Sequence, residues 1–276
     1  FKEIFDEVIK INTLDYIKYR DIQQLIIDAL DKTEYVKIQG MDGNLTDLKV
    51  KLWKLANPKA ETIFENCVAD VNIPVGEVFT SPKLEGTEGL LHIKNVYLNG
   101  LPYKDLKLEL KEGMISSYIC GNYKELKDNK NYIKENLLFQ HESLPIGEFA
   151  IGTNTTAYVL TKKYGLESVM PILIAEKTGP HFAFGDTCYS HEEDIMTYNP
   201  DGKAIVAREN SISALRDSEP LKAYFGCHTD ITIPYDELGR LYGVCENGEI
   251  IDIIRDGRFV LKGTEALNEP LDEWMN

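Results

Sequence analysis

Five side chains able to bind a divalent cation stand at the edges of apolar, strand-like runs in this sequence. His228 and Asp230 lie in FGCHTDITIP (225–234), among Phe225, Ile231 and Ile233. In a strand, residues two apart point to the same face, so this imidazole and carboxylate stand side by side. Glu77 lies in NIPVGEVFTSP (72–82) and Glu148 in LPIGEFAIGTN (144–154), each directly after a glycine. His181 opens the aromatic run HFAF within EKTGPHFAFGDTCYSHEED (176–194). Two carboxylates from separate segments, two histidines and an aspartate are more charge than a dry core accepts, because an uncompensated buried ion is very costly. A pair of divalent cations reconciles them by neutralising the carboxylates and fixing the imidazoles. Nitrogen and oxygen ligands without thiolate are the donor set of a hydrolytic zinc, cobalt or manganese site, where an open position holds the attacking water.

Taken singly, each residue has a plainer reading. His228 alone reads as a hydrogen-bonded core histidine, Glu77 or Glu148 alone as a salt-bridge partner, and His-x-Asp is a pattern of low specificity. His92, in LLHIKN, reads as a strand-face histidine and His141, beside Glu142, as a surface one. His191-Glu192-Glu193-Asp194 reads as a solvated acidic helix start, and Cys188 and Cys227 as small core hydrophobes beside the candidate ligands. A metal-binding module without catalysis is the alternative to an enzyme. Closed coordination by protein atoms marks the former, an open position the latter.

The elements that must hold these residues are mostly strands. Helical spacing covers residues 1–32, with Ile4, Phe5, Val8 and Ile9, then Ile22, Leu25, Ile26 and Leu30. From Tyr35 onward come short strands and turn signals: YVKIQ, the MDGN turn, LTDLKVKL, LLHIKNVYLNG, and KLELKEG with MISSYICG joined at Glu112-Gly113. NYKELKDNKNYIKENLLF (122–139) predicts a charged amphipathic helix, and TTAYVLTKKYG (155–165) a shorter one ending at a glycine cap. Ser190 and Glu193 form a capping-box pattern, predicting a helical turn after residue 190. The tail GVCENGEIIDIIRDGRFVL reads as two strands around Gly and Asp-Gly turns. The fold class is therefore α+β: a helical N-terminal segment (1–34), then a β-rich metal-binding domain (35–276) with a few peripheral helices.

Composition limits the partners. The chain has 276 residues, 45 acidic and 30 basic, for a net charge of −15 spread without long blocks. That speaks against nucleic acid or an anionic membrane, which need clustered Lys and Arg. No signal-peptide pattern opens the chain and no apolar run reaches the roughly 18 residues of a membrane span. The five cysteines are scattered without a CxxC, which predicts free thiols in a reducing cytoplasm.

NIPVGEVFTSP, IGEFAIGTN, EKTGPHFAFG and CHTD, in this order, resemble the thermophilic metallo-aminopeptidases of the aminopeptidase T and S type. The likeness runs from about Val36 to the closing IIRDGRFVL, and GEVFTSP is its most specific block. It implies a site of two metal ions with Glu77, Glu148, His181, a tyrosine, His228 and Asp230 as ligands. Where the family carries its tyrosine, followed by Pro, this sequence has Cys188; Tyr189 comes one later, followed by Ser190. A one-residue loop insertion that brings Tyr189 into the set is the expectation. The EKTGPH block is also shorter than the family's before its histidine. The resemblance further implies hydrolysis of the N-terminal bond of a peptide with a free N-terminus, with Glu77 or Glu148 taking the proton from water. Family members carry an additional N-terminal domain that helps enclose the site, whereas this chain begins at Phe1 and enters the metal domain after one or two helices. It therefore reads as part of a longer enzyme or as a shortened relative; a homodimer is left open.

Overall fold

Alternation of apolar and polar residues in Tyr35–Gly40 and Asp47–Lys51 buries Val36, Ile38, Leu48 and Val50 completely. The two strands pair antiparallel across the MDGN turn, closed by the Asn44 amide donating to the Met41 carbonyl at 2.8 Å. The computed structural model describes residues 2–69 and 71–275. These strands sit in the middle of an eight-stranded sheet whose spatial order is Arg258–Phe259, Ile250–Arg255, Leu238–Val244, Tyr35–Gly40, Asp47–Lys51, Lys83–Leu98, Leu101–Lys111 and Met114–Ile119. Every neighbouring pair is antiparallel. Asn99-Gly100, Glu112-Gly113 and Asp256-Gly257 make its three two-residue turns with both residues at positive φ, the conformation whose twist matches paired strands.

A second, five-stranded sheet carries the candidate ligands. Its order is His228–Thr232, Pro180–Gly185, Ile146–Gly152, Glu77–Thr80 and Glu65–Cys67, again antiparallel throughout. The three central strands are buried at every position, as their continuous apolar runs require. One face supplies Val78, Phe149, Ile151, Phe182 and Ile231 to the main core, with Phe149 stacked on Phe182 at 5.5 Å between ring centroids.

Helix Tyr16–Leu30 buries Ile22, Ile26, Ile27 and Leu30 in that same core, and the Asp15 carboxylate caps it by accepting from the amides of Ile17 and Lys18. The fold is α+β, as the sequence indicates. Helix Thr155–Tyr164 ends at Gly165 in the left-handed region, also as expected. The charged helix is shorter than its spacing predicts, covering only Leu126–Asn136. The Asn129 side chain accepts from the Tyr123 amide and donates to the Tyr123 carbonyl, so it holds residues 121–125 as a bend instead of a first turn. No helix forms after Ser190: His191 takes a positive φ, and the Glu193 carboxylate accepts from the Tyr224 hydroxyl at 3.0 Å rather than capping. The tail adds a third short strand and helix Glu269–Met275, which strand-like periodicity did not signal. Among the described residues no helix is long and apolar enough to cross a membrane.

Candidate metal centre

Cross-strand register assembles the site. In antiparallel pairs, residues directly opposite share a face. Glu148 lies opposite Ala183, which lies opposite Asp230; His181 lies opposite Ala150, which lies opposite Phe79. With the period of two along each strand, Glu77, Glu148, His181, His228 and Asp230 therefore share one face of the five-stranded sheet. Ala150 and Ala183, both fully buried, keep that face low between the ionisable side chains.

The glycines before the two glutamates are explained by close approach. A Cβ on Gly76, whose φ is +134°, would lie 2.8 Å from Asn154 Cβ. A Cβ on Gly147 would lie 2.2 Å from the Asp186 carbonyl oxygen. Asp186 is itself a clamp for the approach to His228. Its carboxylate accepts from the amides of Phe225 and Gly226 at 2.6 and 2.8 Å, and its carbonyl faces His228 Nδ1 at 2.7 Å.

Ligand atoms of Glu77, Glu148 and His181 all lie within 4.8 Å of one another, and all three residues are buried. His181 Nε2 stands 3.5 Å from Glu77 Oε2 and 3.6 Å from Glu148 Oε1. His228 Nε2 is 3.2 Å from Glu148 Oε2 and 3.4 Å from Asp230 Oδ1, so Glu148 joins the two histidines. A carbonyl can only accept, so each Nδ1, facing the carbonyl of Gly179 or Asp186, is the donor and each Nε2 points into the cluster. Glu77 Oε2 and Asp230 Oδ1 are buried without a hydrogen-bond partner. Buried carboxylate oxygens without donors, converging on imidazole nitrogens, are what a cation fits. The cluster opens on a cleft of about 700 Å³ lined by Glu77, Glu148, Glu176, Cys188, His228 and Asp230, among others. His228 is less enclosed than its strand suggests, keeping 31% side-chain exposure on that cleft.

The charges hold one another in place. Burial opposes the charged form of His181, but the Glu148 carboxylate and the charges of Glu77 and Asp230 outweigh it and raise its pKa to about 10. Burial likewise opposes the His228 charge, and Asp230 and Glu148 outweigh it, raising the pKa to about 11. Glu148, though burial pushes the other way, is held well below the usual carboxylate range by the two histidines.

Sequence reasoning missed three residues here. Lys177 is fully buried, with Nζ 3.0 Å from Glu77 Oε1 and 2.6 Å from Glu176 Oε1. Burial works against its charge, yet Glu77 and Glu176 keep its pKa above the ordinary lysine value. Burial and the neighbouring Glu77 charge raise Glu176 to about 7. The Glu176-Lys177 pair directly follows the apolar PILIA stretch in the sequence, which carries no sign that the lysine is buried. The third residue is Cys188, whose Sγ joins Glu148 and His228 within 4.8 Å. Tyr189, expected as a ligand, does not join the cluster. Its hydroxyl donates to Glu65 Oε2 at 2.6 Å, its ring packs on Phe79, and the Arg208 guanidinium lies over it at 4.5 Å. No loop insertion brings it round: adjacent residues of the 187–190 turn diverge, Cys188 toward the cleft and Tyr189 into an apolar cluster with Cys67 and Ala150.

The geometry has counterparts among solved structures. Wild-type AmpT from Thermus thermophilus superposes with a TM-score of 0.62 at 19% identity, over 92% of this chain and 57% of that one. The 2,5-dihydroxypyridine dioxygenase from Pseudomonas putida KT2440 superposes with a TM-score of 0.53 at 15% identity, over 90% of this chain and 61% of that one. At these identities the likeness establishes a shared fold. The chain spans about 57 to 61% of the length of these two structures. No curated protein matches it by sequence. The sequence pattern of one family does match, over residues 15–259, a span that runs from the cap of the second helix through all five candidate ligands to the last strand of the large sheet. On that match the chain belongs to the thermophilic metalloprotease family (M29).

Proposed function

We propose that the chain forms the metal-holding part of a metal-dependent aminopeptidase that cleaves the N-terminal bond of peptides. The observation that carries this reading is the buried Glu77–Glu148–His181 convergence, with an undonated Glu77 oxygen facing the imidazole. Two divalent ions, zinc, cobalt or manganese, suit a cluster in which Glu148 is shared between the His181 side and the His228–Asp230 side. Such ions supply Lewis acidity, polarising the scissile carbonyl and acidifying water at neutral pH.

The chain's own residues would hold them: Glu148, which faces both histidines, would be shared between the two sides, with His181, His228 and Asp230 as the other ligands. The ammonium of Lys177 fixes one oxygen of Glu77 and leaves the other for coordination. Glu77 and Glu148, the glutamates first expected to accept the proton, are both committed to this scaffold. Glu176 lines the same cleft beside Lys177 and is the further carboxylate placed to take the proton from water. The surplus of carboxylates along the cleft favours a substrate's free α-amine over nucleic acid. Five free thiols support a reducing, cytoplasmic setting.

An assay of aminoacyl-nitroanilides with chelated and reloaded protein tests this. Hydrolysis should vanish on chelation, return with zinc, cobalt or manganese, and be lost in Glu148→Gln. Hydrolysis indifferent to chelator would exclude the reading.

A further inference from the structure

We propose that Cys188 is itself a metal ligand, closing a thiolate-containing second cation site with Glu148, His228 and Asp230. The inference rests on the metal-dependent reading above and goes beyond it, because it changes the donor set from nitrogen and oxygen alone to one containing sulfur.

Three observations carry it. The Cys188 sulfur, a Glu148 oxygen and a His228 nitrogen lie within 4.8 Å of one another, the spacing that a single ion bridges. Asp230 is only 8% exposed, yet its Oδ1 has no hydrogen-bond partner and stands 3.4 Å from His228 Nε2. It is a further carboxylate lining the same cleft beside His228. Finally, His228 is oriented for coordination: its Nδ1 donates to the Asp186 carbonyl at 2.7 Å, which turns Nε2 toward Glu148 and the thiol. A cysteine, a histidine and two carboxylates are a tetrahedral donor set of the kind zinc takes. Soft sulfur in place of a phenol disfavours manganese and magnesium, which prefer oxygen.

The turn geometry explains why sulfur and not phenol fills the position. Tyr189 is held by Glu65, Phe79 and Arg208, so the neighbouring backbone delivers Cys188 to the cleft wall, where it is exposed. On coordination the thiol proton leaves to solvent and the sulfur lone pair forms the bond to the ion; no redox change is involved.

Cobalt(II) is the probe. Metal-stripped protein titrated with cobalt should develop both visible d–d absorption and a near-ultraviolet thiolate-to-cobalt charge-transfer band. In Cys188→Ser the charge-transfer band should be lost while the d–d absorption persists. A charge-transfer band of undiminished intensity in Cys188→Ser, or d–d absorption without that band in the wild type, overturns the thiolate ligand and leaves the metal reading standing. Absence of any cobalt spectrum overturns both. A second measurement needs no variant. Zinc should slow alkylation of Cys188 by iodoacetamide in the wild-type protein, mapped by peptide mass, and an unchanged rate contradicts the proposal.

Discussion

Lys177 Nζ lies 3.0 Å from Glu77 Oε1, and both groups are buried in the wall of the candidate metal centre. Removing one member of a buried pair leaves the other uncompensated, typically at about 3–5 kcal/mol. Lys177→Met should therefore lose about 3 kcal/mol or more in chelator. Zinc should recover part of that loss, because the ion takes over neutralising Glu77. Urea denaturation with and without zinc measures both quantities; a loss in chelator below about 1 kcal/mol would show that the pair is not a structural element.

The contact between Gly147 and Asp186 predicts a remote effect on His228. A Cβ at Gly147 would meet the Asp186 carbonyl oxygen at 2.2 Å and the Gly185 carbonyl oxygen at 2.9 Å. Both are backbone atoms, so the clash is relieved only by moving the segment whose carbonyl orients His228. Gly147→Ala should cost about 1–3 kcal/mol of stability and weaken metal binding. Unchanged melting temperature and metal affinity would refute this.

Tyr189→Phe separates the two adjacent residues of the turn. Loss of the hydroxyl that donates to Glu65 should destabilise the fold by about 0.5–1.5 kcal/mol. Metal affinity, measured by competition with a chromophoric chelator, should not move. An affinity loss in this variant would restore Tyr189 as a ligand.

Asp31 predicts a pH dependence away from the metal centre. Burial raises its pKa from 3.8 to about 6 against the opposing hydrogen bond from the Ile63 amide. The folded state thus holds the proton more tightly than the unfolded one. The stability this contributes is fully present below about pH 4 and is lost as pH rises through about 6. Asp31→Asn should match the wild type near pH 4 and exceed it near pH 8 by about 1–3 kcal/mol. Chemical denaturation across that range checks the sign, and an Asn variant less stable at pH 8 contradicts it.

Five of the six expected ligands come together because the sequence features behind them are local and physical. Ionisable residues inside strand-forming apolar runs must share a sheet face, and the period of two put His228 and Asp230 together without knowledge of the fold. The sixth failed because turn geometry is not periodic. Nothing in TCYSHEED says that Glu65, distant in the chain, binds Tyr189 and turns Cys188 toward the cleft. The Ser190–Glu193 capping pattern failed similarly, since Tyr224 competes for the Glu193 carboxylate. Lys177 was illegible because a lysine's burial depends on carboxylates from another strand. The strand order, which sets the site as much as the residues do, was not legible from periodicity.

Glu148 is the residue on which the proposed site turns, because its carboxylate faces both histidines, at 3.6 Å from His181 Nε2 and 3.2 Å from His228 Nε2. The most direct measurement is thermal melting of the wild type and Glu148→Gln, each in chelator and in zinc. A ligand bound only by the folded state at 100 times its Kd stabilises by about 2.7 kcal/mol. The wild type should gain stability of this order with zinc, and Glu148→Gln almost none. Equal zinc-induced shifts in the two proteins would mean that zinc binds elsewhere and that this cluster is not a metal centre.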